Sequence, residues 1–272
     1  MRLLNYSLAS LDAPEQPTVL AIGRERGTKP VTIRWHSHAR GQAVVVSTGL
    51  LTIYTRQGNW MVPSGHSAWI PPGQEHALRL CGNFSGWYVY VAPEMCGRLP
   101  DRFGSASTPS LLREGIARIS HWQDGADPGT REERLGLVVL DEIAALPLEH
   151  EHLPMPADRA MAQIARMIVD DPADDRSLDA LADVVGLSRR TVTRRFADAT
   201  GMSFSAWRQR LRLFQAAEML MTGASVTTVA LNLGYDSPSA FTAMFRRHFG
   251  VTPSRFANHR EYPPPHQDSS SK

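Results

Sequence analysis

Ser177–Gly201 reads SLDALADVVGLSRRTVTRRFADATG, and Ser225–Gly250 reads SVTTVALNLGYDSPSAFTAMFRRHFG. The two stretches share one layout. Each opens on a Ser, continues as a short apolar run of helical period, and places an Ala four residues before a Gly. A second Ser and an Arg-bearing segment follow, closed by Phe-x4-Gly (Phe196 to Gly201, Phe245 to Gly250). In the first copy Ser177 is an N-cap, because its hydroxyl can accept from an unpaired amide of the first turn. Leu178, Leu181, Ala182 and Val185 then share one face. Gly186 supplies a left-handed turn, and Ser188 caps a second helix, Arg189–Ala199, with Val192 and Phe196 inward. The second copy repeats this with Ser225, a helix Val226–Leu233, small Ala230, Gly234 and Ser237. Pro238 takes the first helical position, where proline costs least, and Phe241 and Phe245 point inward. Between them Phe204–Met221 reads as one helix capped by Ser203, roughly 27 Å long at the standard rise. These are two helix-turn-helix units in tandem, with recognition helices spaced by about one DNA turn, roughly 34 Å.

The charge fits that reading. The chain has 272 residues and a formal net charge of +2. From Val185 to Arg260, however, there are eleven Arg, no Lys and three acids (Asp198, Glu218, Asp236), a local net of +8. A basic block confined to one region is the electrostatic footprint of a polyanion. Hydrophobic residues make up 42%, enough for a core in each of two domains. No apolar run is long enough to span a membrane and no signal peptide opens the chain, so the expected location is the bacterial cytoplasm, on the nucleoid when DNA is bound. In that compartment Cys81 and Cys96 are expected reduced and structural, the alternative being a redox pair outside any CxxC motif.

Residues 155–260 resemble the DNA-binding domain of the AraC/XylS family of bacterial transcription regulators. The residues that carry this are Ser188 to Phe196 (SRRTVTRRF), Ala230 to Gly234, Ser237 to Phe249, and Gly250 to Phe256 (GVTPSRF). The resemblance implies that Arg190, Thr193 and Arg194 contact bases from the first recognition helix, beside Arg189 at its start. Ser239 and Thr242 do so from the second. Ala243 stands where many members carry Arg, so the second unit is expected to lean on phosphate contacts through Arg246 and Arg247, or on thymine methyl groups. Members are usually activators that touch RNA polymerase beside the promoter.

The first half has a different grammar. Val44–Ser47, Leu50–Tyr54, Ser67–Ile70 and Trp87–Val91 alternate as strands, with turns at Gly49, Gly58, Gly65 and Pro71-Pro72-Gly73. Short strands at this spacing argue for an all-β barrel or jelly roll. His36-Ser37-His38 on a strand puts both imidazoles on one face. With Gln42, Gly49, Gly65 and Pro71 to His76 it resembles the two motifs of cupin barrels, which gather three His and a carboxylate around a metal ion. Gln42 replaces the usual Glu, and Leu80 the usual Asn. Two readings stand: His36, His38 and His76, with Gln42, hold Zn, Ni, Fe or Mn, or they hydrogen-bond and line an effector pocket without metal. Trp35, Trp60, Trp69, Trp87, Tyr88 and Tyr90 either line such a pocket or fill the core. The segment WIPPGQEH (Trp69 to His76) resembles a subgroup that includes repressors of neighbouring exporter genes; activation or repression is open at this point.

Helical periodicity marks Ser110–Trp122 and Thr130–Leu146, with a stripe of Leu135, Val138, Val139, Glu142 and Ile143. By the resemblance these helices pack on the barrel and dimerise; packing within one chain is the alternative. The expected organisation is a cupin-type sensor over 1–147 with trailing helices, a polar proline-bounded linker over 148–156 containing His150 and His152, an all-α DNA-binding domain over 157–260, and a disordered tail over 261–272. No Ser/His/Asp or Cys/His arrangement, P-loop or dinucleotide fingerprint is present, and His121 has no evident partner. The function expected is that of a non-enzymatic, sequence-specific regulator. It binds double-stranded DNA, answers to a small-molecule or metal effector, works with RNA polymerase and forms a homodimer. A metalloenzyme carrying a DNA-binding domain and an architectural DNA-binding protein are the competing classes.

Overall fold

A computed structural model describes residue 12 and residues 16–27, 29–121, 130–148 and 152–258. The chain divides into two compact units, an N-terminal one built on antiparallel strands and a C-terminal helical one. The expected tail, 261–272, lies outside the described residues.

The first unit carries β1 (Val19–Glu25), β2 (Val31–His36), β3 (Gly41–Thr55), most of β4 (Gly58–Pro63), β5 (His66–Ile70), β6 (His76–Val91) and β7 (Gly104–Ser107). All its mapped pairings are antiparallel: β6 lies between β1 and β3 and also takes β2, while β5 bridges β3 and β7. Two strands depart from the expectation of short segments. The runs at 44–47 and 50–54 are one strand, and Trp87–Val91 is the end of a sixteen-residue strand. Gly49 is a bulge and not a turn: the register shifts on both sides of Thr48 while pairing with β6 continues. Its φ of 85° and its approach to Cys81 O, 2.8 Å from where a Cβ would sit, admit only glycine.

Strand alternation sorts side chains onto two apolar faces. Leu20, Ile22, Val44, Val46, Tyr88 and Tyr90 join one cluster, which the curled sheet encloses with Leu51, Ile53, Trp60 and Leu78. Their neighbours Val19, Ala21, Ala43, Val45, Val89 and Val91 join a second. That face is covered by α1 (Ser110–Ile119) and α2 (Thr130–Ala144), through Leu112, Ile116, Val139 and Ile143. Within the expected stripe of α2, Val138 is 39% exposed, and Leu140 is buried instead. The buried line is Val139, Ile143 and Leu146, flanked by Leu140. The helix stops short of Leu146, which precedes Pro147 and so disfavours helical backbone.

The second unit holds β8 (His152–Pro154), α3 (Arg159–Asp170), α4 (Leu178–Val184), α5 (Arg189–Thr200), α6 (Phe204–Met221), α7 (Val226–Asn232), α8 (Pro238–Phe249) and α9 (Pro253–Asn258). All five serine caps are in place: the hydroxyls of Ser177, Ser188, Ser203, Ser225 and Ser237 accept from the amides of Ala180, Thr191, Ala206, Thr228 and Ala240. Leu181, Val192, Phe196, Trp207, Val229, Phe241 and Phe245 are fully buried. Residues 152–154, read from composition as linker, are instead integral to this unit. Leu153 is fully buried, Trp207 Nε1 donates to Pro154 O at 2.6 Å, and Arg210 donates to His152 O at 3.0 Å. His150 lies outside the described residues. No helix among the described residues is long and apolar enough to cross a membrane.

Candidate nucleic-acid interface and histidine cluster

The two recognition helices present their polar faces as the helical period dictates. Burying Val192 and Phe196 of α5 leaves Arg190, Thr193 and Arg194 exposed on the opposite side, at i, i+3 and i+4. Arg190 and Arg194 form no ion pair among the described residues, so their guanidinium groups are available to an incoming polyanion. Arg189 differs: its Nη1 lies 2.8 Å from Asp179 Oδ2 on α4, and both side chains are exposed. Arg195 is also committed, donating to Asp158, whose carboxylate caps α3 through the amides of Ala160 and Met161. Those contacts, the Met161 amide first and then Arg195, hold the Asp158 carboxyl below its ordinary range. On α8, burial of Phe241 and Phe245 leaves Ser239, Ala243, Arg246 and Arg247 exposed and Thr242 half-buried.

Sequence reasoning named neither acid as a partner. Asp158 was legible as a cap, standing before the apolar series Met161, Ile164, Ala165, Ile168, all buried in α3. That it holds Arg195, thirty-seven residues away, is a product of folding.

The first unit brings the histidines together. His36 ends β2 opposite His76 at the start of β6, while His38 lies in the loop entering β3. The ring centroids of His36 and His76 are 4.3 Å apart, and His38 lies 5.8 Å and 5.3 Å from them. One ligand nitrogen from each falls within 4.8 Å of the others. The tautomers follow from the other ring nitrogen. Nδ1 of His36, His38 and His76 lies 2.7, 2.6 and 2.8 Å from the carbonyls of Arg34, Arg40 and Gln74. A carbonyl only accepts, so each Nδ1 carries the proton and each Nε2 a lone pair. Burial keeps the His36 imidazole below its ordinary value and takes His76 down to about 4, with repulsion from the neighbouring imidazoles adding to it. At neutral pH these two rings are therefore neutral.

Gln42, fully buried on β3, places Oε1 3.1 Å from His38 Nε2. Two lone pairs then face each other, which requires a cation or proton between them, or an amide turned by half a rotation so that it donates. The Nε2 atoms of Gln42 and His76 are buried without a hydrogen-bond partner. Such orphans are costly unless something satisfies them. The aromatic residues fall in several environments. Trp69 is core, its Nε1 donating to Pro100 O at 2.7 Å, and Trp87 packs toward the helices. Trp60, Tyr88 and Tyr90 belong to the enclosed cluster, with Tyr90 5.3 Å from His38, and Trp35 is 46% exposed. His121 is held locally, with Nδ1 2.6 Å from Ala117 O, and among the described residues neither Cys81 nor Cys96 is in a disulfide.

Comparison with known proteins agrees with both halves. Residues 19–136 match the AraC-like ligand binding domain, and residues 181–259 match a helix-turn-helix domain model. The chain is 32% identical over 232 residues to the HTH-type transcriptional regulator NimR of Escherichia coli, covering 85% of this chain and 84% of that protein. This chain belongs to the AraC/XylS family of transcription regulators. Within the family it is also 26% identical to the arabinose operon regulatory protein of Escherichia coli, over 80% of this chain and 77% of that one. It is 43% identical to the regulator RipA of Corynebacterium glutamicum over 103 residues, 38% of this chain and 31% of that one. It is an AraC-family DNA-binding transcription regulator with an N-terminal ligand-binding domain.

Proposed function

We propose that the first domain holds its effector at the histidine cluster, and that His36, His38 and His76, with Gln42 as a neutral fourth donor, bind a divalent transition metal (Zn, Ni, Fe or Mn) as part of that site. The observation that supports this is the shared tautomer: three backbone carbonyls hold three Nδ1 protons and leave three Nε2 lone pairs, on rings whose ligand nitrogens, one from each, lie within 4.8 Å of one another. A backbone acceptor on the far nitrogen is the usual companion of a metal-bound imidazole. The facing oxygen of Gln42 and the orphaned His76 Nε2 are both satisfied by a cation. Bound there, the metal would supply a Lewis-acid anchor for an effector bearing oxygen or nitrogen donors. The domain's task in this reading is binding, with no catalytic turnover.

The regulator would act in the cytoplasm on double-stranded DNA beside RNA polymerase, governing promoters near its own gene. Its homodimer would form through the exposed Leu111 of α1 and Leu137 and Val138 of α2, which are 55%, 46% and 39% exposed. Native mass spectrometry of the full chain, purified without chelator and supplied with each metal in turn, reads both points. The expected species is a dimer with one ion per chain, and with no ion in His36→Ala/His38→Ala. Equal metal content in that variant, or none in the wild type, refutes the metal site; a single-chain mass at micromolar concentration refutes the dimer.

A further inference from the structure

The long helix α6 does more than separate the two helix-turn-helix units. Arg208, Arg212 and Gln215 lie on one of its faces, at i, i+4 and i+7, and all three donate to backbone carbonyls in the last turn of α3 or in the loop between α3 and α4. Arg208 reaches Arg176 O at 3.0 Å, Arg212 Nε reaches Pro172 O at 2.8 Å, and Gln215 reaches Val169 O at 3.4 Å. The second Arg212 nitrogen, Nη2, lies 3.4 Å from Asp174 O. Asp174 is itself buried and binds Arg176, which stiffens the loop that leads into α4.

Arg212 also meets the second helix-turn-helix unit. Its guanidinium lies over the ring of Tyr235, 5.8 Å from the centroid. Tyr235 is in the turn between α7 and α8 and packs on Phe241, the inward anchor of α8, at 5.4 Å. The preceding residue, Gly234, has φ of 69°, and a Cβ there would come within 3.1 Å of Ala173 O and 3.3 Å of Arg212 Nη2. The loop before the first unit, the connecting helix and the turn of the second unit therefore meet at one side chain.

We infer that Arg212 is a positioning residue for DNA recognition: it fixes the orientation of α8 relative to α5, and so sets which spacing of two half-sites the chain accepts. The chemistry suits the role. A guanidinium is planar, donates in its plane and stacks on its face, so one group can hold two loops and one ring at once; a lysine ammonium cannot. Half-buried within the domain, it stands apart from the base-reading faces of both recognition helices. The inference rests on the reading that both units engage one DNA duplex.

The test uses the full chain and a duplex selected by the wild type from a random-sequence library. Four derivatives are compared: the parent duplex, each half scrambled in turn, and the parent with five base pairs inserted between the halves, which rotates one half-site to the opposite DNA face. Wild type should prefer the parent over the others by about tenfold or more, as expected for two coupled contacts. In Arg212→Ala that preference should collapse, with parent affinity falling to the single-half level while binding to the scrambled duplexes stays within about twofold of wild type. Tyr235→Leu, which leaves the carbonyl contacts of Arg212 in place, should show the same selective loss and decides the matter if the first variant is poorly folded. A uniform drop on all four duplexes, or an unchanged preference for the parent, overturns the inference. A wild type indifferent to scrambling or insertion overturns the two-unit reading and this inference with it.

Discussion

His76 is fully buried, its Nε2 has no hydrogen-bond partner, and burial takes its pKa down to about 4. The unfolded value is about 6.5. Between these values the unfolded chain carries a proton that the folded chain refuses, so acid favours unfolding. The stability tied to this group is complete above about pH 6.5 and is lost as pH falls toward 4. His36 shifts in the same direction, whereas Asp158 and Asp174, held below their ordinary values, act at lower pH. With a chelator present, the urea midpoint should fall between pH 7 and 4.5, and His76→Gln should flatten that fall. An identical slope in the variant would show that His76 is not the group responsible. That these residues come together was legible only through the resemblance to the two cupin motifs; the strand alternation read for His36 and His38 does not carry it, since β2 ends at His36. Their tautomers were not legible, because the carbonyls of Arg34, Arg40 and Gln74 act through local backbone geometry that side-chain identities do not encode.

The elements divide by how local their causes are. Five helices of the second unit, α4 to α8, begin where their serines stand, because an N-cap is a contact between a side chain and an amide three residues on. Phe204–Met221 has the same limits in sequence and structure. The strands of the first unit were less legible. Gly49 reads as a break, yet pairing across the sheet carries the strand through it, since tertiary contacts outweigh local punctuation. The same close approach makes a prediction. Gly49→Val should cost about 2 kcal/mol or more of stability, from a side chain forced to positive φ against the backbone of Cys81 and Phe84. Gly27, where a Cβ would meet nothing within 4 Å, is the control; Gly27→Ala should change stability by under about 0.5 kcal/mol. Equal effects of the two changes on urea unfolding would contradict the bulge. In α2 the apolar residues alone could not tell Val138 from Leu140 as the buried neighbour of Val139; the sheet packed against the helix selects Leu140.

For the whole molecule, the division into a strand-built half and a basic helical half follows from periodicity and from where the arginines lie. What sequence could not supply is which arginines remain available. Arg190, Arg194, Arg246 and Arg247 present exposed side chains, while Arg189 meets Asp179, Arg195 meets Asp158, and Arg212 serves the fold. We propose that Arg194, exposed on α5 beside Arg190 and Thr193, is the main base reader, while Arg246 and Arg247 serve phosphate contacts. The most direct test is a genome-wide pull-down of DNA fragments with the purified full chain, wild type beside Arg194→Ala, at one fixed salt concentration. Wild type should show a few strong sites, with a loss of about 1–3 kcal/mol at those sites in the variant and background binding little changed. Diffuse binding by the wild type, or the same sites at the same strength in Arg194→Ala, would contradict it.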